Sequence, residues 1–363
     1  MRIVVLGAAG NFGARVTRAL QSDPAVDLIG AGRNPAAIPS TVAAQRVALD
    51  IDSTDFPAQL AKLSPGLVIH CVGPFQGQDY HVASASLAAG AHYLDLADGR
   101  QFVAGFASAL DTQAVVAGRA AISGASTLPA LSSAVVDELR DGLSAIESIE
   151  VVIAPGQRAP RGKATLEAVF SYLGRPFPVW RNGRWRRAWG WMDLREVRLD
   201  IGARLAAACD VPDLAVFPET YRSVQTVTFH AALEFGAQHL ALWTLAALRR
   251  VGLPLPVTQW AVALNPLAGM FESAAGDKGG MSVTVVGSTH GRTRVRRCWQ
   301  LTVTAMDGPE IPCLPAVLLA RRFAKGPPPS PGARACVGLL KLSDFGAEFA
   351  RWRITTRTEE VAA

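Results

Sequence analysis

The chain has 363 residues, half of them hydrophobic and 18% charged, with a formal charge of +6 and a pI near 9.3. So much apolar material excludes a disordered chain, and at roughly 100–200 residues per domain the length predicts two domains. The positive charge does not point to nucleic acid: only five of the 36 basic residues are lysines, and the arginines are scattered without a basic helix, zinc-finger spacing or aromatic–basic platform.

Five cysteines (71, 209, 298, 313, 336) are odd in number and never form a C-x-x-C pair. That argues against a disulfide framework or a metal site and fits a reducing cytoplasm. Met1-Arg2 leads straight into an apolar strand, so no secretory leader is expected. The longest apolar run, Leu240 to Leu248 around Thr244, is far short of the ~20 residues that span a bilayer. A cytoplasmic homodimer that binds a small-molecule substrate and no nucleic acid is expected. Membrane-surface association through the apolar 231–271 region is the lesser alternative.

Ile3-Val4-Val5-Leu6 reads as a buried parallel strand, and it runs into Gly7-Ala8-Ala9-Gly10-Asn11-Phe12-Gly13 and a helix from Ala14 to Leu20. This strand, Gly-x-x-Gly-x-x-Gly loop and helix have the arrangement that binds a dinucleotide. Gly7 permits the sharp exit, Gly10 lets the backbone approach a pyrophosphate, and Gly13 lets the helix lie close to the strand. The helix N-terminus then offers N–H groups to the phosphates. The cofactor-binding set read here is Gly7, Ala9, Gly10, Asn11, Phe12 and Gly13.

Residues 26–31 predict a second strand, ending at Gly32-Arg33-Asn34-Pro35. An acidic residue at this place would bond the ribose of NAD, whereas arginine would accept the 2′-phosphate of NADP. Arg33, with Asn34 beside it, therefore predicts NADP (NADPH), with NAD as the lesser alternative. A third strand over 43–49 ends at Asp50, a wall near the adenine. After a helix over 55–63, the strand 66–71 leads to Val72-Gly73-Pro74, a tight turn where the nicotinamide is expected. Next come a helix over 79–89, a strand over 91–96, two helices (100–108 and 110–117) and a strand over 119–124.

Beyond this domain, Pro129 predicts a helix to Leu139 within a bridge of residues 126–144. An α+β domain with a mostly antiparallel sheet is expected over 145–323. Its elements are a strand over 147–154, a helix over 162–169, an Asn182-Gly183 hairpin over 179–185, strands at 223–230, 281–287 and 293–304, and a long helix over 231–250. Gly276 to Gly280 reads as a polar loop, and 252–266 as a proline-punctuated stretch. Trp180, Trp185, Trp189 and Trp191 with their interleaved arginines read as rings packed on their own domain. Residues 324–333 read as a linker, and 334–363 as a segment returning toward the domain boundary. The predicted class is α/β: an N-terminal Rossmann doubly wound parallel sheet over 1–125, plus the second α+β domain.

The glycine loop, Val72-Gly73-Pro74-Phe75, Ala88 to Asp95, and Gly124 to Ser132 together resemble the saccharopine dehydrogenase-like family. The likeness is strongest over residues 1–140, and Ala130 departs from the glycine that the pattern has after the proline. The resemblance implies an NAD(P)-dependent oxidoreductase with a Rossmann domain and an α+β domain, relatives being saccharopine reductases and trans-acting enoyl reductases.

A hydride transfer asks the protein for one proton donor near the nicotinamide. Tyr80, His81 and Asp98 follow the predicted strand ends, and Lys278 stands among glycines where it could polarise a carbonyl; these four are the candidate catalytic residues. His70 reads equally as a buried, hydrogen-bonded histidine, and Asp95 as a structural carboxylate. No Gly-x-Ser-x-Gly, His-Glu-x-x-His, P-loop or Tyr-x-x-x-Lys pattern occurs. The expected reaction moves hydride between NADP(H) and a C=N or C=C bond of a small or lipid-like substrate held between the domains. The alternative is a non-catalytic NADP-binding sensor or scaffold.

Overall fold

The computed structural model describes residues 1–43, 45–160, 162–256, 276–327 and 329–363. Two compact units emerge, one from residues 1–131 and 310–340, the other from 132–309 and 341–363.

The first unit opens with β1 (Arg2–Leu6), α1 (Asn11–Gln21), β2 (Asp27–Gly32), β3 (Gln45–Ala48), α2 (Phe56–Lys62) and β4 (Leu67–His70). It continues with α3 (His81–Ala88), β5 (His92–Asp95), α4 (Arg100–Val116) and β6 (Ala120–Ser123). These strands form one parallel sheet in the order β3-β2-β1-β4-β5-β6, with the reversal between β1 and β4. Every residue of β4, β5 and β6 is buried, as expected of strands covered by helices on both faces. One unbroken helix, α4, replaces the two expected over 100–117. Its apolar positions 102, 103, 106, 110 and 114 keep a continuous stripe toward the sheet, so nothing breaks it.

The second unit begins with α5 (Ser132–Leu139), three residues later than expected, because Leu128 is extended (φ −120°, ψ 125°) and Thr127–Leu131 form a wider turn. It continues with β7 (Leu143–Ala154), α6 (Lys163–Ser171), β8 (Pro176–Arg181), β9 (Arg184–Trp189), β10 (Arg195–Leu199) and β11 (Gly202–Ala208). Then come α7 (Asp213–Thr220), β12 (Thr226–Leu233), α8 (Gly236–Arg250), β13 (Lys278–Thr289) and β14 (Arg294–Thr304). The helix expected over 231–250 is shortened at its start, since 231–233 extend β12 and pair with Leu205 to Ala207. Residues 257–266 of the proline-punctuated stretch, and with them 257–271 of the apolar 231–271 region, lie outside the described residues. The Asn182-Gly183 turn has φ of 52° and 70°, the left-handed pair that a two-residue hairpin needs. Around it the tryptophans pack on their own unit: Trp180 against Trp185 (5.2 Å), Trp189 under Arg250, and Trp191 fully buried.

From residue 310 the chain returns to the first unit with α9 (Leu314–Lys325) and β15 (Gly332–Ala335), then closes the second with α10 (Gly346–Arg351) and β16 (Thr355–Ala362). The expected 324–333 linker and the 145–323 domain limit are thus corrected. Residues 324 and 325 end a helix whose apolar face is buried, and Gly332–Ala335 pair in parallel with Ala120–Ser123 as a seventh strand. Asp111 on α4 accepts the Ala333 amide at 2.9 Å and fixes that register. The second unit's sheet runs β10-β11-β12-β7-β13-β14-β16, antiparallel except for β7 against β12, with β8–β9 as a separate hairpin.

Phe323 on α9 is buried against the ring of His92 on β5, 4.9 Å away. Phe323→Ala is expected to cost the first unit about 3–5 kcal/mol in urea unfolding. A loss under about 1 kcal/mol would show that the returning segment is not part of this core.

Candidate functional site

The carboxyl ends of the central strands finish level with one another. Leu6 stands opposite Ala31 on one side and His70 on the other, and His70 opposite Asp95. In open parallel sheets this edge receives the ligand at the point where the strand order reverses.

The glycine loop sits at that point. Gly7 has φ +80°, and the carbonyl of Ala31 at the end of β2 accepts both the Gly7 amide (2.9 Å) and the Ala8 amide (3.1 Å). Gly10 closes the turn by donating to Gly7 O at 2.8 Å. A Cβ at Gly13 would run into the Gly7 carbonyl and lie 2.7 Å from its carbon, so only hydrogen fits there. Among the described residues the amides of Ala9, Phe12 and Gly13 make no hydrogen bond within the protein. Ala9 and Gly10 are exposed, and the first turn of α1 carries no acidic side chain. Open amides and a positive helix end fit a pyrophosphate.

Helix α1 is braced by the returning segment, which no local signal in the sequence reveals. Arg15 donates to Asn11 O (2.8 Å) and Asn11 Oδ1 (2.5 Å) and pairs with Glu310 at 3.0 Å. Cys313 Sγ reaches Phe12 O, Arg321 donates to Ala19 O, and Lys325 pairs with Asp23 at 2.7 Å. The Asn11 side-chain oxygen is thereby taken up by Arg15.

At the end of β2, Arg33 is exposed and has no protein partner among the described residues. Asn34 instead caps a short turn, accepting the Ala36 amide at 3.1 Å, and Asp50 accepts the Asp52 amide at 3.2 Å. Val72 touches the loop from the β4 side: a Cβ on Gly7 would lie 3.0 Å from its methyl. Gln78 donates to Val72 O and Pro74 O, each at 2.8 Å, and so fixes the Val72-Gly73-Pro74 exit.

The four candidate catalytic residues separate. His81 has both ring nitrogens engaged, Nδ1 with Asp79 and Nε2 with Ile51 O at 2.9 Å. Partial burial lowers its pKa, but the Asp79 hydrogen bond, the Ile51 carbonyl and the charges of Asp79 and Asp52 outweigh it, so the net shift is upward. Tyr80 donates to Phe102 O at 3.0 Å and packs edge-on against Phe106. Both side chains are occupied in holding α3 to its neighbours. Asp98 is exposed at the β5 exit and accepts from Gln76 Nε2 at 3.2 Å. Lys278 belongs to the second unit, exposed at the first position of β13 opposite Thr304; from that residue on, the expected 276–280 loop is strand.

The second unit has unpaired polar groups of its own. His239 is wholly buried, neither ring nitrogen is bonded among the described residues, and burial lowers its pKa to about 4. Its ring lies 5.3 Å from that of Trp191, whose Nε1 is also buried and unbonded. Among the described residues no group of three or more His, Cys, Asp or Glu could hold a metal, and no helix is long and apolar enough to cross a membrane.

The Asp79 contact predicts a pH dependence at His81. Because its folded pKa is raised, the pairing stabilises the fold fully below about pH 6.5 and is lost as pH rises through the higher folded value. Titration of the His81 ring by NMR should give a midpoint above that of a free histidine, and Asp79→Asn should lower it. An unmoved midpoint would rule the pairing out.

Residues 3–123 match the family model described as the saccharopine dehydrogenase NADP binding domain. No curated protein matches the chain by sequence. Among solved structures it resembles apo saccharopine dehydrogenase (L-Glu forming) of Saccharomyces cerevisiae, with TM-score 0.69, 12% identity, and 99% of this chain and 100% of that one covered. It also resembles the homospermidine synthase of Legionella pneumophila in complex with NAD, with TM-score 0.62, 8% identity, and 100% and 91% covered. A third likeness is to the DAP dehydrogenase of C. glutamicum in complex with DAP, with TM-score 0.50, 14% identity, and 96% and 98% covered. At these identities the structures speak for a shared fold. Residues 3–123 thus form a saccharopine dehydrogenase NADP-binding domain, and the chain as a whole shares the fold of the saccharopine dehydrogenase structure.

Proposed function

We propose that the protein is an NADP(H)-dependent oxidoreductase that transfers hydride to or from a C=N or C=C bond. The observation that carries this reading is the glycine loop, which leaves open amides and no room for a side chain at Gly13, at the reversal point of the sheet. When bound there, the cofactor supplies the hydride; the amides of Ala9, Phe12 and Gly13 would hold its diphosphate. Arg33, exposed and unpaired at the end of β2, is suited to the 2′-phosphate of NADP. Asp98 is the group we assign to the proton, since His81 and Tyr80 are committed to other contacts.

A second reading, an NADP-binding sensor without turnover, draws on the same commitment of the polar side chains near the strand ends. Label transfer from stereospecifically deuterated NADPH into a panel of imines and enoyl compounds separates the two. Transfer supports the enzyme, and tight binding without transfer supports the sensor.

Arg33→Ala should weaken NADPH binding by about 1.5–3 kcal/mol, the scale of a charge-assisted hydrogen bond, and leave NADH binding unchanged. Equal affinity of the variant and the parent for NADPH would remove the 2′-phosphate assignment. Gly13→Ala should abolish saturable binding of both nucleotides.

A further inference from the structure

One buried carboxylate ties the strand exits together. Asp95 is fully buried at the end of β5, and its Oδ1 accepts from the Gly124 amide (2.7 Å), the Ala97 amide (3.0 Å) and Ser123 Oγ (3.0 Å). Its backbone carbonyl accepts the Ala125 amide at 2.8 Å. Ala97 begins the loop that carries Asp98 and Gly99, and a Cβ on Gly99 would lie 3.2 Å from the Phe75 carbonyl. The exit of β5 therefore rests on the Gly73-Pro74-Phe75 exit of β4, and Asp95 joins both to the exit of β6.

Among the described residues Asp95 Oδ2 and His70 Nε2 lie outside hydrogen-bond geometry, although the Tyr93 hydroxyl beside the carboxylate lowers the Asp95 pKa and the Val72 backbone raises that of His70. His70 stands level with Asp95 on β4, its Nδ1 2.9 Å from Tyr93 Oη and its ring 5.0 Å from that of Phe75. Burial raises Asp95 to about 6, although its hydrogen bonds pull the other way, and burial with the His81 charge lowers His70 to about 3. The other titratable groups that face Asp95 are Tyr93 on its own strand, Tyr80 beside α3, Cys71 after β4 and Cys336 after β15. Burial pushes each of these four upward, so they stay neutral while Asp95 titrates.

We propose that Asp95 is a positioning residue for the cofactor: as a carboxylate it fixes the exits of β4, β5 and β6 in the shape that receives the nicotinamide end, and protonation loosens that shape. The inference rests on the dinucleotide reading above. A charged acceptor makes hydrogen bonds roughly twice as strong as a neutral one. Protonation also turns one acceptor oxygen of the carboxyl into a donor, so the groups that face it must rearrange.

The two consequences of protonation have opposite signs. The folded pKa of Asp95 lies above its value in the unfolded chain, so the folded state binds this proton more tightly. From pH 6 down to pH 4, Asp95 therefore adds stability to the fold. Over the same range cofactor affinity falls. A carboxylate with only a structural role would change stability and leave affinity flat.

The test measures Kd of the full-length protein for NADH and NADPH from pH 5 to 8, with urea unfolding at each pH. NADH is the decisive probe, because the 2′-phosphate of NADPH ionises near pH 6 on its own account. Affinity for NADH should weaken about 3–10-fold between pH 7.5 and 5, following a single proton, the scale of one or two weakened hydrogen bonds. Asp95→Asn should bind at pH 7.5 as weakly as the parent does at pH 5 and show no pH dependence, and Asp95→Glu should restore part of it. Should Asp95→Asn fail to fold, Ser123→Ala removes one bond to the carboxylate and should move the midpoint upward. Flat NADH affinity in the parent, an unchanged profile in Asp95→Asn or an unmoved midpoint in Ser123→Ala overturns the proposal. Absence of binding by either nucleotide at every pH overturns the dinucleotide reading and this proposal together, a result distinct from binding without pH dependence.

Discussion

The close approach of α1 to β1 is the constraint from which the rest of the first unit follows. At Gly13 the helix lies against the Gly7 carbonyl with room for a hydrogen and nothing larger. That approach aims the helix N-terminus at the strand edge and leaves the Ala9, Phe12 and Gly13 amides without internal partners. Unbonded backbone donors are costly when buried, so they lie at the surface or against a ligand. Here Ala9 is exposed and Phe12 half-buried, while Gly13 is buried against the Gly7 carbonyl. Backbone contacts shape the loop's first turn: Ala31 O fixes the start and Gly7 O the close.

A helix placed so close to a strand needs support on its other side, and the chain supplies it from far away. Glu310, Cys313, Arg321 and Lys325 reach Arg15, Phe12, Ala19 and Asp23, spanning the full length of α1. Lys325 and Arg321 together hold the Asp23 carboxylate below its ordinary pKa, the Lys325 hydrogen bond being the largest cause. The same segment adds β15 to the far edge of the sheet, so one excursion of the chain supports both the helix and the last strand.

Polar residues near the strand ends divide by what they touch. His81, Gln78 and Asp95 each make more than one internal hydrogen bond, and Tyr80 makes one to Phe102 O; all four are held in the walls around the strand ends. Arg33 and Asp98 stay exposed and can meet a ligand without giving up such a network. Residue type and proximity to a strand end therefore do not distinguish a wall from a reactive group. Hydrogen-bond occupancy does.

The six parallel strands, their order of appearance and the glycine loop were legible because each is a local pattern: a run of apolar residues, a glycine where φ must be positive, a polar turn. The Asn182-Gly183 hairpin was legible for the same reason. Much of the second unit was not, since β10, β11 and β16 carry charged or small residues and gain their order from neighbouring strands. The 324–333 stretch looked like a linker because proline and glycine dominate its composition, yet Gly332–Ala335 become a strand by pairing with β6. Sequence alone determined the dinucleotide-binding architecture of the first domain, because that architecture is written in the backbone freedom of a few glycines and the burial of short apolar runs. Which distant segment braces α1, and which polar side chains are already spoken for, only the tertiary structure decided, because those contacts join residues up to three hundred positions apart and leave no periodic trace in the chain.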